Sequence, residues 1–188
     1  MFQYLYRVLT VYSGKPRFGR ERTLERAPTY TAGIWPLIPA LLLGIVAGLR
    51  SMTAPAVISL AIQVGSLQLN ATAFALFGNP IVAAGLSAGA GCEFFADTLP
   101  NTPNRTDAGP LIFRLLSGGL CGAALVSSGA APVGQGVLAG CVGALIGAFG
   151  GIRLRIGLRK LSTWPDLWIA LGEDAVALLL AALAISIN

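Results

Sequence analysis

Between Trp35 and Ile187 the chain is a succession of long apolar runs joined by short polar connections, the first (Trp35 to Gln63) too long for one straight span and interrupted at Arg50, the later ones each about the length that crosses a hydrocarbon core. This pattern excludes an ordinary soluble globule. The 188 residues are 55% hydrophobic and only 11% charged, with a mean hydropathy of +0.73, whereas soluble domains carry about 25% charge to wet their surface. A chain whose flanks meet lipid must satisfy its backbone internally. The expected fold is therefore an all-α polytopic transmembrane bundle of about five spans, the first of them broken.

Charge is clustered. Six of the thirteen basic residues (Arg7, Lys15, Arg17, Arg20, Arg22, Arg26) precede the first run, and Arg153, Arg155, Arg159 and Lys160 form a second group. Residues 1–32 read as a cytoplasmic basic arm, with Phe2, Leu5, Leu9 and Tyr12 at the spacing of a short interfacial amphipathic helix; residues 33–188 read as the membrane domain. A secretory signal has its basic residues before its apolar core, and the order here is reversed, so a retained N-terminus is expected. The partners expected are the lipid bilayer and anionic headgroups, at the arm and at the 153–160 loop, rather than nucleic acid.

The runs after the first are Ala71–Leu99, Pro110–Ser128, Val133–Ile152 and Leu167–Ile187. The connections between them alternate in charge. Counting the broken first stretch as one crossing puts both basic clusters on one side, which the positive-inside rule favours. This predicts a multi-pass protein of a bacterial inner membrane with a cytoplasmic N-terminus and an external C-terminus. Pro36-Leu37-Ile38 followed by Leu41, Leu42, Gly44 and Gly48 matches Pro110-Leu111-Ile112 followed by Leu115, Leu116, Gly118 and Gly122. Either a parallel internal duplication, with both segments running outward, or coincidence in a restricted alphabet accounts for the match.

Gly136, Gly140, Gly143, Gly147 and Gly151 recur at steps of three or four and share one helical stripe, a glycine zipper. Gly44/Gly48, Gly85/Gly89 and Gly118/Gly122 repeat small-residue spacing in other spans. Such stripes build the fold or a homo-oligomer, with a pore lining as the alternative.

Arg50 interrupts the first run, beside Ser51, Thr53 and Pro55, where an unpaired cation is costly. It requires an acidic partner, free carbonyls or water, unless it snorkels outward from a helix end. Glu93 and Asp97 share one face of the second run, and Glu173 and Asp174 lie about two turns into the last. Arg114 is at a depth from which it could neutralise Glu93 or Glu173, and Arg105 belongs to the polar turn before it. Intramembrane carboxylates either carry ions or protons or close a structural clasp. Cys92, Cys121 and Cys141 lack metal-ligand spacing and read as packing residues. With no histidine in the chain, zinc, haem and Ser-His chemistry are disfavoured. No metal, cofactor or catalytic residue is assigned.

Three blocks occur in order: GLRSMTAPAVISLA (Gly48 to Ala61), E-x-x-x-D-x-L-P-x-x-P-x-R-T (Glu93 to Thr106) and P-D-x-x-x-A-L-x-E-D (Pro165 to Asp174). In these the chain resembles the bacterial membrane family of domain of unknown function 4126, over most of residues 33 to 187. Asp97-Thr98 departs from the family pattern, which has a lysine after the aspartate, so an Asp-Lys contact does not carry over. The resemblance implies a fold and a location but no activity. From the residues themselves, the leading expectation is a small transporter or channel for an ion or solute. Its polar path would run past Arg50, Ser51, Thr53, Glu93, Asp97, Arg105, Arg114, Glu173 and Asp174. A non-transporting scaffold or assembly protein with structural charge clasps is the rival, and an enzyme acting on lipid comes third.

Overall fold

The computed structural model describes residues 34–69, 72–96, 106–127, 131–161 and 166–188. The expected amphipathic helix of residues 1–12 and the polar turn 99–105 lie outside them. The described residues form six α-helices and no strand: α1 (Leu37–Leu49), α2 (Thr53–Gln63), α3 (Pro80–Ala96), α4 (Ala108–Val126), α5 (Val133–Leu161) and α6 (Asp166–Ser186), with one 3-10 turn at Ala75–Gly78. By length and composition α4, α5 and α6 can each cross a membrane, whereas α1, α2 and α3 are shorter apolar helices.

The short α1 is the centre of the bundle, and α4, α5, α6 and α2 all pack on it. Its sequence has no polar face, so burial on every side costs it nothing. Pro39, Ala40, Leu43, Val46 and Ala47 are buried. Around α1 the neighbouring backbones come close. A Cβ added to Gly143 would fall on the Leu41 carbonyl, and one on Gly147 would fall on that of Ile45. Residue numbers rise together along this contact, so α1 and α5 run parallel. On α4 the order is opposite: Gly140 meets Gly118 and Gly136 meets Gly122. The α4 helix is therefore antiparallel to both α5 and α1.

That direction corrects an expectation. The matching segments at 36–48 and 110–122 do not run the same way, because Arg114 reaches Gly48 and Leu49 while Val126, one end of α4 away, clusters with Ala40. What the two segments share is a glycine pair set against α5, which is a packing requirement and explains the match without a parallel repeat.

The first run breaks at 50–52 and turns back. Arg50 is extended (φ −143°, ψ 107°). Beyond it, Ile58 and Ala61 of α2, together with Leu67 and Leu69, join the cluster that holds Leu43, Val46, Ala181 and Ala184. Pro55 is tolerated because the first turn of a helix has no internal use for its N–H groups. At its other end α2 closes through Gly65 at φ +79°, the left-handed conformation suited to glycine, with Ser66 N–H donating to Ala61 O (2.8 Å). Asn79 then starts α3, its Oδ1 accepting from Ile81 N–H (2.8 Å), with Pro80 as the first helical residue. Gln63 Nε2 donates to Gly78 O (2.8 Å), and Met52 N–H to Glu93, so α3 runs antiparallel to α2.

Two further corrections follow. The broken stretch reverses direction, which brings the start of α1 and the end of α6 to the same end of the bundle, where a single passage through that stretch would have put them at opposite ends. In addition, residues 153–160 are not a loop but the last turns of α5, whose 29 residues extend about 44 Å. They lie at the end opposite the start of α1.

Candidate functional site

A helix break leaves carbonyls without partners at one end and N–H groups without partners at the next, and in lipid these groups are costly. Here both ends are met by side chains. Arg114, from one turn into α4, donates from Nη1 to Gly48 O and Leu49 O, both 2.8 Å, at the C-terminus of α1. Glu93, near the end of α3, accepts at the N-terminus of α2. Its Oε1 receives Ser51 N–H (2.9 Å) and Ser51 Oγ–H (2.7 Å), and its Oε2 receives Met52 N–H (2.9 Å). A cation thus sits at the negative end of one helix dipole and an anion at the positive end of the next, the favourable sense at both. The two caps also approach each other, with Arg114 Nη2 3.8 Å from Glu93 Oε1.

Arg50 does not extend to the surface. It is 4% exposed, and its Nε donates to Asp174 Oδ1 (2.5 Å) on α6. The guanidinium lies 5.3 Å from the centroid of the Phe94 ring, within the range of cation–π attraction. Ser117 Oγ–H donates to Ser51 O (2.5 Å), fixing a further carbonyl of the turn. The break is therefore held from three helices, α3, α4 and α6. A small cavity of about 110 Å³ adjoins it, bordered by Arg50, Thr53, Phe94 and Asp174.

Of the residues singled out from sequence, Arg50, Ser51, Glu93, Arg114 and Asp174 converge through these bonds, and Thr53 borders the adjoining cavity. Glu173, the residue before Asp174 on α6, is buried and faces a separate groove toward α5. Asp97 and Arg105 lie outside the described residues. Sequence reading missed Ser117 and Phe94. Ser117 is one helical turn after Arg114 and shares its face, and Phe94 adjoins Glu93; proximity to a charge already singled out was the available signal. Gly136, Gly140, Gly143, Gly147 and Gly151 are all buried on α5. Cys121 is buried, and Cys141 donates its S–H to Leu115 O (3.5 Å). Among the described residues no cluster of three or more His, Cys, Asp or Glu side chains is placed to hold a metal ion.

The chain belongs to the family described as domain of unknown function (DUF4126), whose family model matches residues 37–187. That region takes in the break, Glu93, Arg114 and Asp174. No curated protein and no solved structure matches the chain. What the family and the helices establish together is a membrane-like helical protein of unknown function.

Proposed function

We propose that this family member is a non-conducting scaffold of a bacterial inner membrane, in which the intramembrane charges hold a reversed helix pair rather than move ions. One observation carries the reading: the helix ends exposed by the break are already occupied, by Arg114 on one side and Glu93 on the other. In broken-helix transporters such ends receive the substrate or the coupling ion. Here they receive side chains of the same chain, and Arg50 is matched by Asp174. The close backbone approaches of α1, α4 and α5 at glycine support the same view, since small residues let helices associate where lipid supplies no hydrophobic drive. No catalytic group is assigned. The N-terminal arm faces the cytoplasm on this reading. Six basic residues precede α1, against Arg153, Arg155, Arg159 and Lys160 at the opposite end of the bundle. The reversal at 50–52 then brings the C-terminus to the cytoplasmic side as well.

The test is ion and proton flux in liposomes carrying the purified chain, with Glu93→Gln and Arg50→Ala compared at matched folded content. The scaffold reading expects flux no greater than in empty liposomes and two variants that are merely less stable. Flux that Glu93→Gln abolishes would overturn it. Transport remains the second reading, favoured by the cavity beside Arg50, Thr53 and Asp174. On that reading Asp174→Asn alters flux, measured at matched folded content, beyond what its loss of the Arg50 pair does to stability.

A further inference from the structure

The α5 and α6 helices touch sparingly, and between the last turns of one and the first turns of the other lies a groove of about 360 Å³. Leu154 and Leu158 line it from α5, and Trp168 and Val176 from α6, so its wall is almost wholly apolar. The exception of positive charge is Arg155, which is half-buried and whose Nε is buried without a hydrogen-bond partner among the described residues. Arg153, Arg159 and Lys160 are exposed on the same turns, and α5 contains no acidic residue. Glu173 also lines the groove, but it is 7% exposed and has an interaction of its own.

From this arrangement we infer that the groove seats one acyl chain of an anionic phospholipid, with the lipid phosphate on Arg155. The inference rests on the membrane placement proposed above. An apolar cleft with a basic rim matches the two parts of such a lipid, and the volume lies within the range of roughly 300–1,000 Å³ typical of small-molecule sites. A helix from a second protein does not fit. At about 10 Å across, it would fill the same volume in less than one turn. The bound lipid wedges between α5 and α6, two helices that touch only sparingly, and it is the class of ligand that a guanidinium holds by charge-assisted hydrogen bonds.

Trp168 supplies a reporter inside the site. The full chain carrying Trp35→Phe and Trp164→Phe, so that Trp168 is the only tryptophan, is reconstituted in phosphatidylcholine vesicles. Acyl-brominated phosphatidylglycerol or acyl-brominated phosphatidylcholine is then added in increasing fraction. The expected result is half-maximal quenching at a fraction about fivefold lower for the anionic lipid, the equivalent of the roughly 1 kcal/mol that one basic side chain gains near an anionic surface. Arg155→Gln removes that preference and Arg155→Lys keeps most of it. Gly172→Leu also removes it, by filling the groove from a position where an added side chain meets open space. Equal quenching by the two lipids in the parent, or a preference that survives either Arg155→Gln or Gly172→Leu, overturns the inference. A Trp168 insensitive to both brominated lipids refutes the membrane placement itself, so the two failures are told apart.

Discussion

Replacing Glu93 by Gln tests whether the carboxylate holds the break, because the amide keeps the shape and changes only charge and hydrogen bonding. In the wild type three donors converge on it: Ser51 N–H, Ser51 Oγ–H and Met52 N–H. Glutamine retains one acceptor oxygen, which can serve Ser51, but turns an NH2 group toward Met52 N–H. One donor is then left without an acceptor, at a cost of about 1–3 kcal/mol. Arg114, 3.8 Å away and buried, also loses its neighbouring anion. The gross Coulomb energy of such a pair is about 4 kcal/mol at an effective dielectric near 20, of which only a part is net, because both charges were desolvated. The sum is ~3 kcal/mol, which at 2–4 °C per kcal/mol for a chain of this length lowers Tm by about 6–12 °C. Glu93→Ala, which abandons all three donors, falls further. Thermal unfolding in detergent, followed by circular dichroism, measures both. The double variant Glu93→Gln with Arg114→Met should lose less than the sum of the two single variants, since the two side chains share one site. A Glu93→Gln protein melting at the wild-type temperature would refute the capping argument, since the unpaired donor alone, at about 1 kcal/mol or more, lowers Tm by at least about 2 °C.

The glycines divide into two classes with opposite signs. Gly140→Ala drives a Cβ into the Gly118 carbonyl and should cost at least about 1–3 kcal/mol, whereas Gly85→Ala and Gly91→Ala on α3 enter open space and should gain about 0.5–1 kcal/mol; the same melting assay checks all three. A double-mutant cycle on Arg50→Ala and Asp174→Ala should return a coupling of roughly 1–3 kcal/mol, measured by chemical unfolding, and a coupling near zero would mean that the bond from Arg50 Nε to Asp174 contributes nothing. Reporter domains fused separately at the two termini should register the same compartment if the membrane placement proposed above holds, because the chain doubles back at 50–52. Opposite compartments would show that the reversal at 50–52 is wrong.

That last prediction isolates what the sequence could and could not disclose. The apolar runs and the scarcity of charge mark a helical membrane-like fold, and Arg50 with Pro55 marks the break, because each is a local property of the chain. The direction taken after the break is not local. Whether residues 53–63 continue onward or double back depends on which partners receive the freed backbone groups. Those partners are Arg114, more than sixty residues later, and Glu93, some forty later. A charge count over connecting loops contains neither, so it carried straight through a stretch that doubles back, and it treated Arg153 to Lys160 as a loop when they continue α5. The same reasoning accounts for the site. A charge inside an apolar run must be compensated, so Arg50, Glu93, Arg114 and Asp174 stand out without a structure. Their division of labour does not, because a carboxylate that neutralises an arginine and one that caps a helix look alike in sequence. Glu93 does both, and the capping geometry, two N–H groups on two separate oxygens, is what supports the structural role proposed for it. A cation arriving at Glu93 would compete with the Ser51 and Met52 N–H groups for the same two oxygens, so transport through Glu93, if it occurred, would loosen the N-terminus of α2.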